Sequence, residues 1–110
     1  MPISVKAKKV IGEKLKKQRE SDKRSLRQTA SECDITPASL SSIENGVNFP
    51  SEKTFLCLVE LLNFKDKAKM YDLYGEFKET VPLDISEYIL KHPNVIEELR
   101  ERIKKSEEIL

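Results

Sequence analysis

The side chains that could do chemistry are few and unevenly gathered. His92, Cys33 and Cys57 are the only nitrogen or sulfur metal ligands of these types, and no spacing among them suits zinc. His92 precedes Pro93 and reads as a surface residue at a helix start. Both thiols fall on apolar positions of expected helices in a chain with no expected signal peptide. They are read as buried small hydrophobes in a reducing compartment, without a disulfide framework. No Ser/His/Asp constellation or glycine-rich phosphate loop occurs, so no enzymatic activity, metal or cofactor is expected. What remains is a concentration of hydroxyl and amide side chains between Ser25 and Pro50, SLRQTASECDITPASLSSIENGVNFP. Their chemistry is hydrogen bonding, not bond making.

Such side chains need helices to aim them. The chain has 110 residues, about one domain's worth, with 35% charged residues, 3 glycines and no tryptophan, a composition that favours an all-α protein. A first helix is expected from Ala7 to Arg19, with Val10, Ile11 and Leu15 on one face, lysines elsewhere and Gly12 at a close packing contact. Glu20–Arg24 reads as a loop. Ser25 with Gln28 three residues on forms a capping-box pattern that starts a second helix, whose inner face is Leu26, Ala30 and Cys33. Asp34 and Ile35 break it. Thr36 caps a third helix with Pro37 at its first position. There Leu40 and Ile43 face inward and Pro37, Ala38, Ser41 and Ser42 outward. Asn45–Gly46 ends this helix, Val47 and Phe49 anchor the following loop, and Pro50 stiffens it.

A fourth helix opens at Ser51–Glu52 and repeats Phe55, Leu58, Val59 and Leu62 at core spacing. A fifth, Asp66 to Phe77, carries Met70, Leu73, Tyr74 and Phe77. Pro82 stops it, and Asp84 with Glu87 reads as another capping box. Two further helices follow, one with Ile85, Tyr88 and Ile89, the other with Ile96, Leu99 and Ile103. The expected fold is all-α, a five-helix repressor-like bundle over residues 7–78 with a helical extension over 79–110. The apolar runs are too short to span a membrane.

Two short helices joined by a tight turn are the arrangement that lays the second helix in a DNA groove while the first crosses the phosphate backbone. A plain helical bundle offers the same periodicity. Residues 1–50 carry 10 Lys/Arg against 6 Asp/Glu, residues 51–110 carry 10 against 13, and the basic half suits a polyanion. Periodicity and this small charge asymmetry leave a DNA-binding pair and a plain bundle both open. Thr36, Pro37, Ala38, Ser39 and Ser42 are the candidate base contacts, and Ser25, Arg27, Asn45, Asn48 and Lys53 the candidate backbone contacts. The base-reading set has no arginine for guanine and no glutamine for adenine. Serine hydroxyls, an apolar contact to a thymine methyl and DNA shape are left to carry readout.

IGEKLKKQRE, SLRQTASECDITPASLSSIENG, FPS and the following leucine-rich helix together resemble the Cro/CI-type (XRE) repressor domain, over about Ile11 to Asn63. The matching positions are Ile11, Gly12, Leu15, Arg19, Ala30, Leu40, Ile43, Glu44, Asn45, Gly46 and Pro50, and PASLSSIE resembles the biofilm-regulator branch. The resemblance implies double-stranded DNA as the partner and an ion pair between Arg19 and Glu44. Thr29 departs from the family's leucine, and Leu26 from a backbone-contacting glutamine whose role Gln28 does not inherit.

One such domain reads one half-site, so a cytoplasmic homodimeric repressor is expected, with Ile85, Ile89, Ile96, Leu99 and Ile103 as the dimerisation residues, packing of these residues back onto the chain's own bundle being the alternative. VPLDISEYILKHPNVIEELR also resembles the tails of repressors cleaved by ImmA/IrrE-type metallopeptidases, which makes a regulatory metallopeptidase a possible partner. Two rival readings are an antitoxin whose tail sequesters a toxin, and a protein-interaction module that has lost DNA binding.

Overall fold

The computed structural model describes residues 3–109, and over that range the chain forms seven helices and no strand. They are α1 (Val5–Ser21), α2 (Leu26–Glu32), α3 (Pro37–Glu44), α4 (Glu52–Leu61), α5 (Lys67–Lys78), α6 (Leu83–Lys91) and α7 (Pro93–Ile109). No helix among the described residues is long and apolar enough to cross a membrane.

Local chemistry accounts for most of the boundaries. The Ser4 hydroxyl accepts the Ala7 N–H and starts α1 two residues ahead of the expected position. Ser25 caps α2 by accepting the Gln28 N–H at 3.0 Å, but the return bond expected from the Gln28 side chain is absent among the described residues. The Thr29 hydroxyl instead donates to the Ser25 carbonyl at 2.8 Å. Thr29 thus fills a fully buried position with its polar group satisfied, so replacing leucine leaves no orphaned hydroxyl. Asp34, at φ 57, turns the chain between α2 and α3, a left-handed conformation that aspartate tolerates better than most residues. Thr36 then caps α3 by accepting the Ser39 N–H, with Pro37 at the first helical position.

α3 packs against both α1 and α2. It meets α1 tightly at Gly12, where an added Cβ would collide with the Ile43 carbonyl oxygen and stand 3.0 Å from that of Glu44. Because both obstacles are backbone, neither can rotate aside. Gly12→Ala should therefore destabilise the fold by about 1–3 kcal/mol through overpacking, despite alanine's better helix propensity. Urea denaturation would check this, and a variant as stable as the parent would contradict the contact.

The core joins Ile11, Leu15, Ala30, Leu40 and Ile43 to Phe55, Leu58, Val59 and Leu62 of the fourth helical segment and to Met70, Tyr71 and Tyr74 of α5. Val47, expected to anchor the α3–α4 loop, is 61% exposed. The anchor is Phe49, whose ring stacks on Tyr74 at 4.9 Å, while Tyr74 stacks on Phe55 at 4.3 Å and donates to the Pro50 carbonyl at 2.9 Å. Burial pushes the Tyr74 phenol up to about 12.

Two further expectations are corrected. The Asp84–Glu87 capping box does not form, because α6 begins at Leu83 behind Pro82 and Asp84 already lies in its first turn. Leu83 is drawn into the core, and Gly75 admits the Thr80–Pro82 backbone tightly against α5. Nor are the cysteines separate thiols: Cys33, at the end of α2, and Cys57, on α4, are joined in a disulfide with Cα atoms 5.6 Å apart. Cys33 is buried and Cys57 half-exposed.

Beyond the core the molecule extends. Its radius of gyration is 16.7 Å, against roughly 13 Å for a compact chain of this length. α7 packs chiefly on α6, and Ile85, Leu90, Leu99 and Ile103 remain exposed there.

Candidate nucleic-acid interface

The second helix of a reading pair must be held from behind. Arg19, near the end of α1, donates from Nε to Glu44 Oε2 at 2.6 Å and from Nη2 to Oε1 at 3.0 Å, a two-point contact that matches the planar guanidinium to the carboxylate. Its Nη1 donates to the Arg24 carbonyl at 2.8 Å. One side chain therefore ties α1, the α1–α2 loop and the end of α3. The Arg19 and Glu44 side chains are only 12% and 4% exposed. The Glu44 carboxylate, as hydrogen-bond acceptor, raises the Arg19 guanidinium above its ordinary pKa.

A second brace lies behind α1. Asp22 accepts the Asn63 N–H and the Gln18 amide, each at 2.9 Å, and the Asn63 backbone bond holds its carboxyl below the usual range. This fixes the end of α1 against the α4–α5 connection.

With α3 so held, Thr36, Pro37 and Ala38 are exposed at its N-terminal end, while Ser39 and Ser42 are half-buried along its flank. Ser25 and Arg27 are exposed at the start of α2, Asn45 and Asn48 beyond the end of α3, and Lys53 in the first turn of α4. Arg27 shares an open cleft of about 450 Å³ with Ser31, Asp34, Ile35, Thr36 and Pro37, so the structure brings the start of α3 beside a cation of α2. Asp34 brings a negative charge to the same cleft. The Asn45 amide donates to the Ser41 hydroxyl at 3.3 Å, which partly occupies it.

Lys9 was not among the residues expected here. Its side chain reaches the Asn45–Gly46 turn so closely that a Cβ on Gly46 would stand 2.8 Å from its Cγ. Gly46 is at φ 75, a left-handed position suited to glycine. Lys9 thus sets a cation at the C-terminal end of α3, favourable for the helix dipole. It also lines, with Glu13, Lys16, Glu44 and Asn45, a groove of about 310 Å³ that holds two acids as well as two lysines. Periodicity on α1 shows only that Lys9 faces outward; the α1–α3 crossing decides what it faces.

Ile85, Leu99 and Ile103 are 49%, 42% and 58% exposed, and Ile89 and Ile96 are half-buried. None of these five lies among the residues around α2 and α3. Among the described residues no cluster of metal-ligating side chains occurs.

No curated protein and no solved structure matches the chain at significance. A family model described as a helix-turn-helix domain does match, over residues 12–76, more than half of the chain. That span begins at the Gly12 contact and takes in the Arg19–Glu44 clamp, the α2–α3 pair and most of α5. The chain belongs to the helix-turn-helix family, of the XRE/Cro-CI type.

Proposed function

We propose that the chain is a sequence-specific DNA-binding transcriptional regulator that acts as a dimeric repressor in the cytoplasm. The observation that carries this reading is the clamped α3, whose N-terminal end stands exposed beside Arg27 at the start of α2. In it Thr36, Pro37, Ala38, Ser39 and Ser42 meet base edges, while Ser25, Arg27, Asn45, Asn48 and Lys53, joined by Lys9, hold the phosphates. Repression follows from occupancy, since a domain bound in the major groove blocks other proteins from the same site.

Selection of bound sequences from a random DNA pool tests the reading. Enriched half-sites related by two-fold symmetry and centred about 34 Å apart are expected; recovery of no preferred sequence would overturn it. Arg27→Ala should flatten the log–log salt dependence by about 0.9 per lost phosphate contact while weakening all sequences alike. An unchanged slope would remove Arg27 from the interface.

Dimerisation is assigned to α6 and α7, because six of the eight exposed large apolar side chains among the described residues lie between Val81 and Ile103. Exposed large apolar side chains concentrated in one part of a chain favour an interface there. Replacing Ile85 and Leu99 together by glutamate should give a folded monomer in sedimentation with weaker DNA binding. A protein monomeric before the change would favour the readings in which this surface meets a toxin or a regulatory metallopeptidase.

A further inference from the structure

We propose that Cys33 and Cys57 form a reversible thiol–disulfide exchange site, with small-molecule disulfides as oxidant, and that its state sets how rigidly α3 is held. The bond joins the end of α2 to α4 across 24 residues of sequence. That closed loop contains the turn at Asp34, all of α3, and Asn45, Asn48 and Lys53. Among the candidate contacts, only Ser25, Arg27 and Lys9 lie outside it. Closing the loop therefore pins both ends of the segment that carries the reading surface.

Both states suit the fold. In the oxidised state the pair spans the α2–α4 contact. In the crosslinked structure Cys33 is buried among apolar side chains and Cys57 Sγ lies 3.7 Å from the Glu32 carbonyl oxygen, so reduction would leave a small hydrophobe and a thiol with an acceptor within reach. In a compartment where glutathione keeps thiols reduced, disulfides are transient or sensing, not structural.

Exposure orders the chemistry. The half-exposed Cys57, as thiolate, attacks one sulfur of glutathione disulfide and releases one glutathione thiolate, leaving a mixed disulfide. The buried Cys33 thiolate then attacks Cys57 Sγ, and the second glutathione leaves. Two electrons pass from the protein to glutathione disulfide, and the two protein thiol protons end on the two glutathione thiols.

The effect on DNA rests on the proposed docking of α3, so the test reads α3 separately from DNA. The full-length chain is equilibrated in glutathione buffers of graded ratio, trapped by alkylation and counted by mass. Amide hydrogen exchange is then compared between the two forms for α3 and, as a reference, α5. A midpoint within the buffer range is expected, with α3 amides exchanging about ten-fold faster on reduction, beyond any change in α5. Cys57→Ala, at the less buried position, should exchange like the reduced form in every buffer. The oxidised form should bind pool-selected DNA about five-fold more tightly through preorganisation. A pair that stays reduced in excess glutathione disulfide overturns the proposal, as does an equal change in α3 and α5, or equal affinity when both forms bind DNA. A redox-dependent α3 in a chain that binds no DNA in either form supports the exchange site and overturns the docking reading.

Discussion

Replacing Arg19 by alanine should cost about 3–5 kcal/mol of stability, the range for stranding one partner of a buried ion pair. Glu44, left behind with its side chain 4% exposed, has little access to water, and the Arg24 carbonyl loses its donor as well. Glu44→Ala should cost less, near the low end of that range, because the 12%-exposed guanidinium can swing outward and rehydrate. The asymmetry is the diagnostic result, and urea unfolding of both variants measures it. Arg19→Lys should recover little, since an ammonium cannot reproduce the two parallel bonds to Glu44 and the third to Arg24. If Glu44→Ala melts with the parent, the pair is no clamp. In that case the rigid placement of α3 must come from Gly12 and the apolar contacts alone.

Reducing the Cys33–Cys57 bond should lower stability by about 3–4 kcal/mol, as loop-closure entropy predicts for a crosslink of this span. On a domain of this size the loss corresponds to a fall of roughly 10–20 °C in melting temperature, readable by thermal scans with and without a phosphine reductant. Cys57→Ala should melt near the reduced protein in both conditions. An identical melting point with and without reductant would mean that the crosslink restrains nothing the reduced chain leaves free.

These two devices differ in how visible they are from the residues alone. Arg19 and Glu44 lie within a block whose resemblance to a known domain implies their pairing. Cys33 and Cys57 lie 24 residues apart on unrelated helices, each reading locally as an ordinary apolar position. Nothing in the period of α2 or α4 says that Cys57 turns toward the end of α2. The same limit hid Lys9, whose outward direction is a property of α1 but whose neighbour is the Asn45–Gly46 turn of another element. Val47 failed in the opposite sense: it is apolar, but the loop is already anchored by Phe49 on Tyr74.

By itself the sequence determined what is local: the hydroxyl caps at Ser25, Thr36 and Ser51, proline at the head of α3, glycine at its end, and the inward set of Leu40 and Ile43. Each rests on a backbone requirement met within four residues, so the necessary information is contiguous. Tertiary structure alone decided what spans elements: the crossing of α1 and α3 at Gly12, the crosslink from α2 to α4, the cation beside the end of α3, and the entry of Leu83 into the core. Those depend on helix directions set by packing the whole core at once, which no short window of residues contains.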